Sequence, residues 1–295
     1  MLFSVISVVF LAGCARGGGE APTGAGVVIT SFVPDLQEVE GGTSVSFTAL
    51  VKNIGEKPAT SIKALLFGLS SGWTGTDFTS GATKDITSLS PPDPKVGLAG
   101  EESTLDWTIT APAAKDVDLV YDAQLRVFYS YTTEATTLVR FVTSDYLKTN
   151  PNIQKGIVSS TVSSGALSIV SVARTPTVTS ASTTGKIQFD IQNIGGGRVF
   201  KTLPGVVPIE ARDIDLIEKI EITNVERCDG TAKAGSPAIV TLDNKRMVSG
   251  KSRLVTCEVN TAGIGNFVDK EISVKITYKY YVDSATSVTV PKALA

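Results

Sequence analysis

The sequence predicts an all-β protein made of two tandem antiparallel β-sandwiches. Three observations lead there: apolar residues alternate at every second position through most of the chain, the two halves of the sequence repeat one another, and no long helical period follows Gly26. Alternation puts one face of a strand on a core and the other in water. Gly, Ser and Pro connections separate the alternating runs, as in sandwich folds.

The repeat fixes the elements in order. Val45 to Gly55 matches Gly185 to Gly195 at an offset of 140, so that Phe47, Ala49 and Val51 fall on Ile187, Phe189 and Ile191. Asn53 and Gly55 fall on Asn193 and Gly195, which reads as a turn in which Asn tolerates left-handed backbone and Gly supplies positive φ. Further along, the offset grows to 149 or 150: Leu105, Trp107 and Ile109 match Val255, Cys257 and Val259, and Leu125 to Tyr131 matches Val274 to Tyr280. After Tyr280 a polar stretch around Asp283-Ser284 precedes Thr286, Val288 and Val290, and this reads as a hairpin. Thr133-Glu134 occupies the same place before Thr137, Val139 and Phe141. Gly68 to Glu102 reads as a long irregular insertion, and Asp229 to Gly250 as a loop. The organisation expected is a signal at 1–13, a tether at 14–26, a first sandwich at 27–147, a linker at 148–165 and a second sandwich at 166–295.

Leu11-Ala12-Gly13-Cys14, at the end of the apolar stretch Met1 to Gly13, reads as a lipobox, with Cys14 the lipidated first residue of the mature chain. Thirteen helical residues cover about 20 Å, short of the roughly 30 Å hydrocarbon core, which suits a signal peptide better than a span. No Lys or Arg precedes the run. The Gly-rich residues after Cys14 read as a flexible tether. The chain has three cysteines, so lipid on Cys14 leaves Cys228 and Cys257 to pair, as an exported protein allows.

Composition removes whole classes of function. Histidine is absent, and with it the commonest general base, transition-metal ligand and partner of a nucleophilic Ser or Cys. Lys plus Arg number 27 against 29 for Asp plus Glu, leaving no basic field for nucleic acid. The acidic groups Asp35, Glu38, Glu40 and Asp213, Asp215, Glu218 lack calcium-loop spacing. No phosphate-cradling loop or nucleophile elbow is present. No catalytic residue, metal site or cofactor is therefore expected. Trp73, in the Gly68 to Glu102 insertion, and Phe200 are the candidate recognition residues, while Tyr129, Tyr131, Tyr278, Tyr280 and Tyr281 alternate in phase with Val and Ile and read as core or rim.

The run Ile29 to Pro34, then Val45 to Val51, then Asn53-Ile54-Gly55 followed by Ser61 to Phe67, resembles the opening of the cell-adhesion-related, CARDB-type immunoglobulin-like domains of bacterial and archaeal surface proteins. The second half keeps Asn193-Ile194-Gly195 and diverges after it. The resemblance implies immunoglobulin-like sandwiches and a surface location, archaeal by expectation, and implies no ligand. The function expected is that of a lipid-anchored, extracellular-facing membrane protein in structure, adhesion or protein interaction. Its partners would be the membrane through Cys14 and envelope or surface proteins or other copies of itself. The alternative is an accessory lipoprotein presenting a sugar or peptide to a transporter or surface enzyme, which requires an exposed Trp73 or Phe200 beside a pocket.

Overall fold

The computed structural model describes residues 26–69, 72–79, 82–179, 184–201 and 211–293. The first half comprises β1 (Val27–Pro34), β2 (Ser44–Asn53), β3 (Ala59–Phe67), the short helix α1 (Thr76–Thr79), β4 (Thr83–Leu89), β5 (Glu102–Thr110) and β6 (Leu119–Thr143). A second short helix, α2 (Ser144–Thr149), leads to β7 (Gly156–Val162), β8 (Leu167–Ala173), β9 (Thr177–Val178), β10 (Thr184–Asn193) and β11 (Arg198–Phe200). Then come β12 (Leu216–Thr223), β13 (Arg227–Cys228), β14 (Thr231–Ala232), β15 (Ile239–Arg246), β16 (Ser252–Asn260) and β17 (Phe267–Val290).

The alternation delivers what it predicts. Val45, Phe47, Ala49 and Val51 on β2, with Leu105, Trp107 and Ile109 on β5, are buried, as are Ile187, Phe189 and Ile191 on β10 and Val255, Cys257 and Val259 on β16. The chain is an all-β structure of antiparallel sheets. One layer of the first half is β1-β2-β5, and the corresponding layer of the second half is β14-β13-β16-β10-β8. The facing layer is common to both halves, a sheet in the order β15-β12-β17-β6-β3-β4. A single apolar core runs beneath it from end to end.

The two expected hairpins are absent. Thr133-Glu134 and Asp283-Ser284 lie inside uninterrupted strands: β6 runs for 25 residues and β17 for 24, and they pair antiparallel from Phe267 opposite Val142 to Val290 opposite Leu119. Inward side chains alternate without a break along both, Ala123 to Phe141 on β6 and Ile272 to Tyr280 and onward to Val290 on β17. Neither stretch contains Gly, Pro or Asn-Gly, so nothing forces a reversal.

Consequently each half borrows a strand. The first sandwich's sheet, β4-β3 with the leading part of β6, is completed by the trailing part of β17. The second's, β15-β12 with the leading part of β17, is completed by the trailing part of β6. Ser130 lies opposite Lys279, and these two residues correspond in the repeat. The ribbon therefore has a pseudo-two-fold axis through that pair: Tyr129 faces Tyr280, and Tyr131 faces Tyr278. The segment following the first strand of each half crosses to the shared sheet and runs parallel to the borrowed strand. Glu38 bridges Thr289 in one half, and β9 pairs with Val142 and Thr143 in the other.

Three stretches differ from their sequence reading. Gly68 to Glu102 contains α1 and the sheet strand β4, and Asp229 to Gly250 contains β14 and β15. The stretch 148–165 contributes β7, which pairs with β6 from Ala135 to Arg140. These are short edge strands with little of the apolar alternation that marks central ones: β4 is Thr83-Lys-Asp-Ile-Thr-Ser-Leu89, and β15 buries only Val240 and Leu242.

Candidate functional site

The polar groups that the repeat duplicates converge at the middle of the ribbon. Asn53 is fully buried at the end of β2; its Nδ2 donates to the carbonyls of Lys57 and Leu89, both at 2.9 Å, and its Oδ1 accepts the Gly55 amide at 3.1 Å. Asn193 repeats the arrangement, donating to Gly197 and Gly250 at 3.0 Å each. A tyrosine hydroxyl closes each turn. Tyr131 Oη accepts the Lys57 amide at 3.0 Å and donates to the Ser164 carbonyl at 3.2 Å. Tyr280 Oη accepts the Gly197 amide at 2.9 Å and donates to Asn193 Oδ1 at 2.7 Å.

This geometry corrects the expected role of the glycines. Neither Gly55 nor Gly195 has positive φ, nor does either asparagine. They are glycines because a Cβ at Gly55 would lie 2.0 Å from Tyr131 Oη, and one at Gly195 would lie 2.6 Å from Tyr280 Oη. The turn is thus shaped by its contact with the ribbon rather than by local backbone strain.

The tyrosines pack as a cluster on the inner face. Ring centroids lie 5.8 Å apart for Tyr129 and Tyr280 and 6.0 Å apart for Tyr131 and Tyr278, facing pairs related by the pseudo-two-fold axis. Tyr278 Oη accepts the Leu167 amide at 3.2 Å and lies 3.0 Å from Thr133 Oγ1. Burial pushes the phenols of Tyr131 and Tyr280 from 10.0 up to about 12, and raises those of Tyr129 and Tyr278 as well. Held neutral at physiological pH, the hydroxyls of Tyr131, Tyr278 and Tyr280 act as hydrogen-bonding struts.

The candidate recognition aromatics are both buried. Trp73 is 3% exposed, its ring edge-on to Tyr121 at 5.4 Å and 6.5 Å from Phe47, where it plugs the end of the first sandwich. Phe200 is 0% exposed. It belongs to a second apolar cluster on the outer face of the shared sheet, with Leu65, Phe128 and Tyr281. The Arg126 guanidinium covers that cluster 4.2 Å above the Tyr281 ring, held by two hydrogen bonds to Asp283 at 2.6 and 2.7 Å. Trp73 comes from a stretch that reads as an irregular insertion and Phe200 from the short strand β11, and in both places the large aromatic serves as an anchor.

Cys228 and Cys257 form a disulfide. They are direct partners across β13 and β16, so the bridge lies within one layer. Cys257 takes the place that Trp107 takes in the first half, and both side chains are fully buried. The chain thus fills one core position with an indole, hydrogen-bonded to the Ala82 carbonyl at 2.8 Å, and its repeat with a covalent staple. Cys14 and the rest of Leu11 to Cys14 lie outside the described residues.

Three of the acidic residues singled out from sequence are taken up in pairings. Asp35 accepts the Ser46 amide at 2.9 Å, Asp215 holds Arg198 at 2.7 Å and Glu218 holds Lys279 at 2.6 Å. Among the described residues no three His, Cys, Asp or Glu side chains stand close enough to share a metal ion, and no helix is long and apolar enough to cross a membrane. A hollow of about 630 Å³ opens beside Glu38, Glu40 and Lys292 at the far end of the first sandwich. The tyrosine pairing at the ribbon's centre is the feature that sequence reasoning missed. The repeat offset carried its signal, since the tyrosines of one half coincide with those of the other.

No family profile matches the chain. No curated protein matches it either. Among solved structures, the secreted serine protease VesC from Vibrio cholerae is similar at 10% identity with a TM-score of 0.21, over 92% of this chain and 52% of that one, so the chain spans about half of VesC's length. Collagen adhesin (CNA) from S. aureus is similar at 9% identity with a TM-score of 0.13, over 93% of this chain and 96% of that one. Likeness at this level says nothing of activity.

Proposed function

We propose that this chain is a lipid-anchored protein of the outer face of a prokaryotic, archaeal-type cell membrane, built from two CARDB-type units and acting in structure, adhesion or protein interaction rather than catalysis. The observation that supports the reading is the place of Gly26, the residue to which a tether from Cys14 would lead. The Gly26 carbonyl accepts the amides of Ile54 and Gly55 at 2.8 and 3.2 Å, and Gly26 packs against Tyr131 at the centre of the ribbon. A tether from Cys14 would join the fold beside the centre of the ribbon, away from both sandwich ends. The disulfide supports export to an oxidising compartment. Burial of Trp73 and Phe200 weighs against the ligand-presenting alternative, which needs one of them on the surface.

Mass spectrometry of the protein extracted from membranes tests the anchor. The expected result is a mature amino terminus at Cys14 carrying lipid, together with loss of membrane association in a Cys14→Ser variant. An intact Met1, or a variant that stays on the membrane, overturns the proposal.

A further inference from the structure

The ribbon that unites the two halves does not require both strands to belong to one chain. β6 recognises β17 through register, through the tyrosine cluster and through ion pairs directly across the strands: Arg126 with Asp283 and Arg140 with Asp269, each by two hydrogen bonds of 2.6 to 2.7 Å. Between β6 and β7 the covalent connection is residues 144–155. Its helix α2 buries none of its residues, so unwinding it sacrifices no core contact. Twelve residues reach about 40 Å when extended. We propose that the partner for this surface is a second copy of the chain: the first half of one copy pairs through β6 with β17 of another, in a strand-exchanged assembly whose ribbon is the internal one rebuilt between molecules. This goes beyond the surface role proposed above and does not depend on the anchor.

Exchange replaces every contact outside residues 144–155 by its twin, so the balance is set by concentration. A tether of this length holds the halves at an effective concentration on the order of a millimolar. Dilute chains therefore close on themselves, and crowded ones exchange.

The full chain carrying Cys14→Ser tests this. Thr136 and Ser273 face each other across the ribbon, Thr136 exposed and Ser273 half-buried. One preparation carries Thr136→Cys, the other Ser273→Cys. They are unfolded together with the native disulfide left oxidised, refolded by dilution to about 100 μM, oxidised and mapped by peptide mass spectrometry. The expected product is a bridge joining position 136 of one chain to position 273 of another in about a tenth of the chains, well above bridges joining like positions. Mixed bridges no commoner than like ones, while a chain carrying both substitutions closes its own 136–273 bridge, overturn the proposal. If either cysteine variant misfolds, light scattering on the chain without them after the same refolding decides. A species of twice 30.9 kDa that survives dilution supports exchange, and monomer alone overturns it.

Discussion

Tyr131 and Gly55 define each other: the hydroxyl sits where a Cβ would be, and the amide it accepts belongs to the turn that Gly55 helps to form. Gly55→Ala should destabilise the protein by about 2 kcal/mol or more through overpacking, and Tyr131→Phe by about 1 to 2 kcal/mol through the buried amide left unpaired. The double variant should lose at least about 1 kcal/mol less than the sum, since removing the hydroxyl relieves the clash. Urea unfolding of the single and double variants checks this coupling, and strict additivity would show that the contact does not shape the turn. Ionisation gives a second readout at the same residues. Because the folded phenols of Tyr131 and Tyr280 titrate near 12 and unfolded ones near 10, their contribution is fully present below pH 10 and is lost as pH rises from about 10 to about 12. Denaturant unfolding against pH should show a plateau followed by that fall. A Tyr131→Phe, Tyr280→Phe chain should start lower and fall less steeply.

At the scale of elements, the long strands depend on being paired in one register, because a slip by a single residue turns every inward side chain outward. Cross-strand charge adds a finer check. Arg140 and Asp269 are partly exposed, so solvent screens their bidentate pair and its contribution is modest. Arg140→Asp should lower the melting temperature by setting like charges opposite and removing the cation from above the Phe267 ring. Combining it with Asp269→Arg should recover about half the loss in thermal unfolding, and no recovery would mean that the pair does not contribute to register. The strands themselves were legible in the sequence from alternation, and so was the position of Cys257 from its match to Trp107. What local pattern could not distinguish was a strand that turns back from one that runs on, since side chains alternate in both. The absence of Gly, Pro or Asn-Gly at Thr133-Glu134 and Asp283-Ser284 was the available clue. Trp73 and Phe200 show the complementary limit: an aromatic in a polar stretch looks the same whether it caps a core or faces solvent, and only tertiary packing decides.

For the molecule as a whole, borrowed strands mean that neither sandwich is complete without the other. Two beads on a linker would melt separately. Here Ile276→Ala, a core truncation on β17 costing about 2 to 5 kcal/mol, should lower the transition of the entire chain. Differential scanning calorimetry should show one peak with equal calorimetric and van't Hoff enthalpies, in the variant as in the parent. Two resolved peaks, with only one shifted, would mean the halves are energetically separate.

The antiparallel pairing of β6 with β17 also has a mechanical meaning. Its hydrogen bonds stand perpendicular to strands that run together for 24 residues, about 80 Å. A pull that drags one sandwich past the other along that axis loads the bonds in shear, so that many must fail together. A pull that peels the strands apart from one end breaks them one after another. Under tension along its length the molecule is therefore a clamp, and under peeling forces it is a zipper. The direction in which a surface is tugged would decide whether the two halves hold or part.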